Sequence, residues 1–184
     1  MLQRPLPMPA AANAAVSGSA EGEARLARAW AVLDTVPDPE VPALSLRDLG
    51  VVREVAVQGE GLHVVLTPTY SGCPATEVIA ASVKQALEDE GLGPVTVAQR
   101  LAPAWTTDWI SEAGRRKLRE YGIAPPEPLG PGAAQPIRIR ARSVACPRCA
   151  SSDTERLSAF GSTACKALYR CLACREPFEH FKPI

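Results

Sequence analysis

The chain predicts an α+β fold, a small mixed sheet covered by helices, followed by a small C-terminal zinc ribbon held by four cysteines. Three observations carry this. The first two thirds of the 184 residues read in the order helix, two strands, helix, strand, helix. A stretch dense in Pro and Gly follows Gly122. The last forty-odd residues then hold two C-x-x-C pairs, Cys146-Pro147-Arg148-Cys149 and Cys171-Leu172-Ala173-Cys174.

Each element has a local reason. Glu21 to Val36 places Leu26, Trp30 and Leu33 at helical spacing, and Pro37 ends the pattern. Val51 to Val57 and Leu62 to Thr67, joined by Gln58-Gly59-Glu60-Gly61, read as a β-hairpin. Pro74 to Glu90 is a second helix: Pro74 suits its first turn, Val78, Ile79, Val83 and Leu87 form its apolar stripe, and Gly91 suits the position past its end. Val95 to Leu101 alternates as a strand. A third helix runs from about Thr107 to Tyr121, capped by Thr or Asp and stopped at Gly122, with Trp109, Ile110, Ala113 and Leu118 on its apolar face.

The expected organisation is a disordered leader over 1–22, an α+β domain over 23–122, a semi-stiff linker over 123–143 and the ribbon over 144–184. The leader is rich in Ala and Pro but lacks the continuous apolar core of a secretory signal, and no run approaches the roughly 20 apolar residues that span a bilayer. The expectation is therefore a cytoplasmic protein without a membrane partner.

Net charge is zero but unevenly distributed. From Pro136 onward nine Lys and Arg face four acids, giving +5 and leaving −5 on the remainder. A basic tail on an acidic body suits an acidic protein surface, nucleic acid or the body itself, and equally suits a solvated face with no partner.

Two C-x-x-C pairs separated by 21 residues point four thiolates at one tetrahedral ion. Zinc is the favoured occupant; soft thiolates also accept iron or part of an iron-sulfur cluster, and disulfides fit this crowding less well. Ribbons commonly place Gly after the second Cys of each pair, where this chain has Ala150 and Arg175. Cys165 is left over: its bland reading is a small buried hydrophobe, and its functional one an extra ligand or cluster-handling thiol. His180, in Phe178-Glu179-His180-Phe181, reads as a strand residue among packing aromatics.

In the body, Cys73 stands in Thr69-Tyr70-Ser71-Gly72-Cys73-Pro74 at the start of the second helix, where a helix N-terminus favours thiolate and Gly72 lets backbone amides turn toward a ligand. On local grounds alone it is as well explained as a structural residue. Asp38-Pro39-Glu40 either caps a turn or supplies hard ligands near Cys73. Asp48-Leu49-Gly50 reads as a turn into the first strand, His63 as scaffold, and Trp105 and Trp109 as core edge.

Taken together, Asp38-Pro39-Glu40-Val41-Pro42, Asp48-Leu49-Gly50-Val51-Val52, Thr67-Pro68-Thr69-Tyr70-Ser71-Gly72-Cys73-Pro74 and Pro103-Ala104-Trp105-Thr106 resemble, over about residues 24 to 122, the SufT-like, MIP-type family of metal-sulfur cluster assembly proteins. That resemblance implies a compact α+β domain of the iron-sulfur cluster assembly type, a role in cluster delivery, and Cys73 with Asp38 and Glu40 as the matching thiol and acidic turn. With the four-cysteine tail added, the chain resembles the accessory subunits grouped with phenylacetyl-CoA epoxidase in phenylacetate catabolism, a system whose oxygenase carries a di-iron centre and whose reductase carries flavin and an iron-sulfur cluster. The implied role is accessory or maturation work and not the oxygenation itself, with the other subunits as partners. The chain has no helical Glu-x-x-His pair of the kind used to build a di-iron site, since Glu60-Gly61-Leu62-His63 falls in the hairpin, and it has no Gly-x-Gly-x-x-Gly fingerprint.

The expected chemistry is a Cys73 thiolate that transiently holds iron or a cluster beside Asp38, Glu40 and Thr69 while the tail docks a recipient. One thiol is too few for a four-thiolate cluster, so a second copy in a homodimer, a partner or Cys165 must complete the shell. The competing class is a ribbon that grips protein or nucleic acid through Arg138, Arg140 and Arg142, against which zero net charge argues. A Cys73 nucleophile needs a base, and only His63 and His180 are on offer.

Overall fold

The computed structural model describes residues 20–70, 72–128 and 143–184. The leader up to residue 19, Ser71, and most of the expected linker with Arg138, Arg140 and Arg142 lie outside the described residues.

The first helix, α1 (Ala20–Leu33), buries Ala29 and Leu33 and half-buries Leu26 and Trp30. After a looped segment, β1 (Val52–Gln58) and β2 (Gly61–Leu66) pair antiparallel as the hairpin signal predicts. The second helix, α2 (Thr76–Asp89), crosses over to β3 (Val95–Gln99), which runs parallel to β2, so the sheet order is β1-β2-β3. A parallel neighbour needs such a crossover. The helices α1 and α2 cover this sheet, and Leu33, Val64, Val83 and Leu87 are fully buried between the layers.

Two helix readings are corrected. α2 begins at Thr76 and not at Pro74, and Val78 is 54% exposed, because the buried stripe is Ile79, Val83 and Leu87 at steps of four. The predicted third helix is broken. Thr107–Trp109 is one 3₁₀ turn; Ile110 is extended; Ser111 then caps α3 (Glu112–Tyr121), its hydroxyl accepting from the Gly114 amide. Buried Arg115 ties the two pieces by donating to the Thr107 carbonyl at 2.7 Å. Gly122, at φ 90°, ends α3 as the sequence suggests.

The tail is not a detached bead. Ile123 and Ala124, expected to be linker, form β4 and pair parallel with β7 (Pro177–Phe181). With β5 (Thr154–Ser158) and β6 (Lys166–Cys171) they make a second sheet in the order β4-β7-β6-β5. Phe181 and Cys165 from the tail are members of the main core, and Trp105 packs on Phe181 with ring centroids 6.0 Å apart. The Thr107 amide donates to the Ile184 carbonyl at 3.1 Å. Both Trp105 and Phe181 are apolar residues that lose water on contact, so the join is a core extension.

Candidate metal and thiol sites

Cys146 and Cys149 sit on one turn, Cys171 and Cys174 on another, and the two turns are built alike. The Ala150 amide donates to the Cys146 carbonyl and the Arg175 amide to that of Cys171, while the amides of Cys146 and Cys171 reach forward to the carbonyls of Ser151 and Glu176. These folds leave Ala150 at φ 60° and Arg175 at φ 68°, the left-handed region where ribbons commonly use Gly. The departure seen in the sequence is thus a conformational cost and not a different geometry. Since an L-residue there costs about 1–2 kcal/mol, Ala150→Gly is expected to stabilise the ribbon by about 1 kcal/mol in chemical unfolding.

The four Sγ atoms lie within 4.8 Å of one another, Cys146 to Cys174 at 3.7 Å and Cys149 to Cys171 at 3.6 Å. A disulfide requires about 2.05 Å, whereas a tetrahedral ion with bonds of about 2.3 Å imposes sulfur–sulfur edges of about 3.8 Å. All six cysteines are free. The donor set therefore fits a four-thiolate metal site. Within it Cys171 is drawn down to about 7, first by the Cys174 amide; the Glu176 backbone favours a Cys174 thiolate, but its burial and the other three thiols push Cys174 up to about 12. An ion is needed before all four ionise.

The second site lies between the two sheets' ends. A pocket is lined by Asp38, Glu40, Thr69, Cys73 and Cys165, with walls from Val41, Leu49, Val51, Pro68, Ile79 and Phe181. The structure thus brings together the four body residues singled out in the sequence. Asp38 caps its turn: Oδ1 accepts from the amides of Glu40 and Val41 at 2.9 and 2.8 Å, and Asp38 and Glu40 both line the pocket. Burial pushes the Asp38 carboxyl up against the pull of those amides. Cys73 is half-buried and precedes α2 by three residues; the Thr76 hydroxyl and amide donate to its carbonyl at 2.7 and 3.2 Å. Gly72, at φ 84°, makes the turn before it.

Two contributors were less visible in the sequence. Tyr70 lies beside Cys73, whose amide donates to the Tyr70 carbonyl at 3.4 Å; burial first, then the neighbouring thiol, push its phenol up to about 12. Cys165 is 3% exposed, as its bland reading predicts, yet it lines this pocket, with Sγ 3.7 Å from Glu40 Oε2. Burial pushes its thiol up. No local signal pairs residue 165 with residue 40; only the docking of the ribbon does. His180 lies in β7, edge-on to Tyr169 at 5.5 Å and held down to about 4 by burial, and His63 contacts Thr96 on the sheet, so neither histidine is among the residues lining the pocket.

A cluster-assembly type of domain joined to a metal-binding ribbon is the class that fold and sites define, and comparison with known proteins agrees. Residues 26–98 match the family model of an iron-sulfur cluster assembly protein. Residues 133–182 match the PaaD zinc beta ribbon domain. A candidate 1,2-phenylacetyl-CoA epoxidase subunit of Escherichia coli (strain K12) is 53% identical over 155 residues, 84% of this chain and 91% of that protein. The chain belongs to the PaaD family of phenylacetyl-CoA epoxidase subunits. Among solved structures, a domain of unknown function (DUF59) from Bacillus anthracis is 26% identical with a TM-score of 0.50, covering 53% of this chain and 94% of that one. A conserved hypothetical protein from Thermotoga maritima is 25% identical with a TM-score of 0.43, covering 55% and 94%. Among the described residues no helix is long and apolar enough to cross a membrane.

Proposed function

We propose that the chain is an accessory subunit of a phenylacetyl-CoA epoxidase system that hands iron or an iron-sulfur cluster to the oxygenase or reductase component, and that it performs no oxygenation itself. Its partners in this reading are the other subunits of that system. Cys73 holds the cargo as thiolate, Glu40 and Asp38 supply carboxylate oxygen, and Thr69 supplies a hydroxyl at the rim. Zinc at Cys146, Cys149, Cys171 and Cys174 is structural: with all four positions taken by thiolate, no coordination place remains for substrate. The carrying observation is the convergence of Asp38, Glu40, Thr69 and Cys73, from two separate loops, on one pocket with apolar walls. Such walls strengthen the hold of thiolate and carboxylate on a cation by excluding water.

Replacing Cys73 tests this directly. Cys73→Ser is expected to leave the fold and the ribbon zinc intact, while the recipient component, co-produced with the variant and purified anaerobically, falls to the iron content it has without this subunit. Normal iron loading of both oxygenase and reductase in that variant would sink the reading. Elemental analysis of the wild-type subunit is expected to give one zinc per chain.

A further inference from the structure

Cys165 brings to the Cys73 pocket a second thiol from the other half of the molecule, and the surrounding structure is built to hold it there. We infer that Cys73 and Cys165 are two ligands of one divalent-ion site, with Glu40 as the carboxylate ligand and ferrous iron as the class of ion; the inference rests on the transfer-site reading above. Each thiol gives up its proton to solvent as it takes the ion, and no electron changes hands.

Four observations carry it. Cys165 and Cys73 line the same pocket together with Glu40 and Asp38. Cys165 Sγ lies 3.7 Å from Glu40 Oε2 and 3.0 Å from the Thr163 hydroxyl, polar company that a thiol serving only as buried apolar filling does not require. The backbone at 165 is fixed: its carbonyl accepts from the Lys182 amide at 2.9 Å, and buried Lys166 next to it pairs with Glu179 at 3.0 Å and reaches the Glu40 carbonyl at 3.5 Å. Finally, the pocket is small, about 20 Å³, room for about one water or one ion. Sulfur with carboxylate is a mixed donor set, suited to iron and zinc and not to the oxygen-seeking magnesium or calcium.

The site differs from the ribbon site in kind. Among the described residues only the four ribbon cysteines already hold their ligand atoms within 4.8 Å of one another. Cys73 and Glu40 are only half-buried, so they close on the ion by side-chain rotation while Cys165 stays fixed. A site that must close to bind also opens to release, which suits cargo.

The full chain, its ribbon filled with zinc, is titrated anaerobically with Co²⁺ as a visible stand-in for ferrous iron. Zinc in a four-thiolate site resists displacement by cobalt, so added cobalt reports the pocket. The wild type is expected to take one ion beyond the ribbon zinc, with sulfur-to-cobalt charge-transfer bands. Cys73→Ser and Cys165→Ser are each expected to weaken it more than about a hundredfold, beyond the loss of an outer-shell partner. Retained zinc and unchanged thermal unfolding show that each variant is folded; should Cys165→Ser fail that check, Cys165→Ala, which keeps the position apolar, replaces it. If Cys165 variants bind like wild type while Cys73→Ser does not, the shared site is overturned and the Cys73 reading stands. If the wild type takes no second ion, or Cys73→Ser keeps it, the shared ion site is overturned, and the transfer reading stands or falls on the iron loading of the recipient in Cys73→Ser.

Discussion

Stripping the metal from the ribbon, by a strong chelator or by Cys171→Ser, is expected to unfold residues 143–184 while the helical body stays folded. The ribbon's own buried cluster is Ala124, Cys146, Cys171 and Phe178, so two of its four buried members are themselves ligands. A chain segment this short rarely stands without a metal or a disulfide, and here every cysteine is free. Four-thiolate zinc contributes about 10–16 kcal/mol to the folding of comparable modules, more than any other single interaction in the tail. The consequence reaches the other site. Strand β6 runs from Lys166, beside the pocket thiol, to the metal ligand Cys171, so loss of the ion frees the hairpin that presents Cys165. Mass spectrometry after alkylation of the chelated protein should show Cys165 modified at least about tenfold faster than in the zinc-loaded chain, and circular dichroism should keep the signal of α1, α2 and α3. A metal-free tail that still shields Cys165 would show that packing alone holds it.

What the sequence disclosed and what it concealed divide by the range of the interactions involved. The hairpin at Gly59 to Gly61, the stop at Gly122 and the two cysteine turns are local: neighbouring residues determine them, and they appear where the spacing puts them. Asp38, Glu40, Thr69 and Cys73 could be gathered only because their motifs occur in a family order, since the periodicity of each segment says nothing of the others. The break at Ile110 escaped notice because Trp109, Ile110, Ala113 and Leu118 satisfy helical spacing; a serine cap at 111 and the close approach of Gly114 to the Asp48 carbonyl, 3.0 Å from where a Cβ would stand, decide otherwise. The linker expectation is corrected at its first two residues. Pro and Gly density after Gly122 suggests a semi-stiff linker, but Ile123 and Ala124, just before the prolines, are apolar residues that add a strand to the tail's sheet. That pairing, and with it the meeting of Cys165 with Glu40, is a long-range fact that no composition window contains.

Trp105→Ala is expected to be the most destabilising single substitution outside the metal site, at about 3–5 kcal/mol. Trp105 is 3% exposed and joins three parts of the molecule at once. Its indole N–H donates to the Leu49 carbonyl at 2.9 Å, its ring lies against Phe181, and both Leu49 and Phe181 line the thiol pocket. Truncation removes a side chain that buries about 150–250 Å² and leaves the Leu49 carbonyl without that donor. Trp105→Phe separates the two contributions: it keeps most of the apolar volume and loses the hydrogen bond, so it should cost only about 1–2 kcal/mol. Urea unfolding followed by circular dichroism gives both values. The alanine variant should also loosen the ribbon from the body without releasing zinc, because Trp105 belongs to the main core whereas Cys146, Cys171 and Cys174 belong to the ribbon's own cluster; alkylation of Cys165 then rises while zinc content stays at that of the wild type. If both variants lose the same small amount, Trp105 fills an edge and the halves are held by the β4–β7 pairing alone. If the alanine variant loses zinc as well, the metal site depends on docking, and the order of assembly is body first, ribbon second.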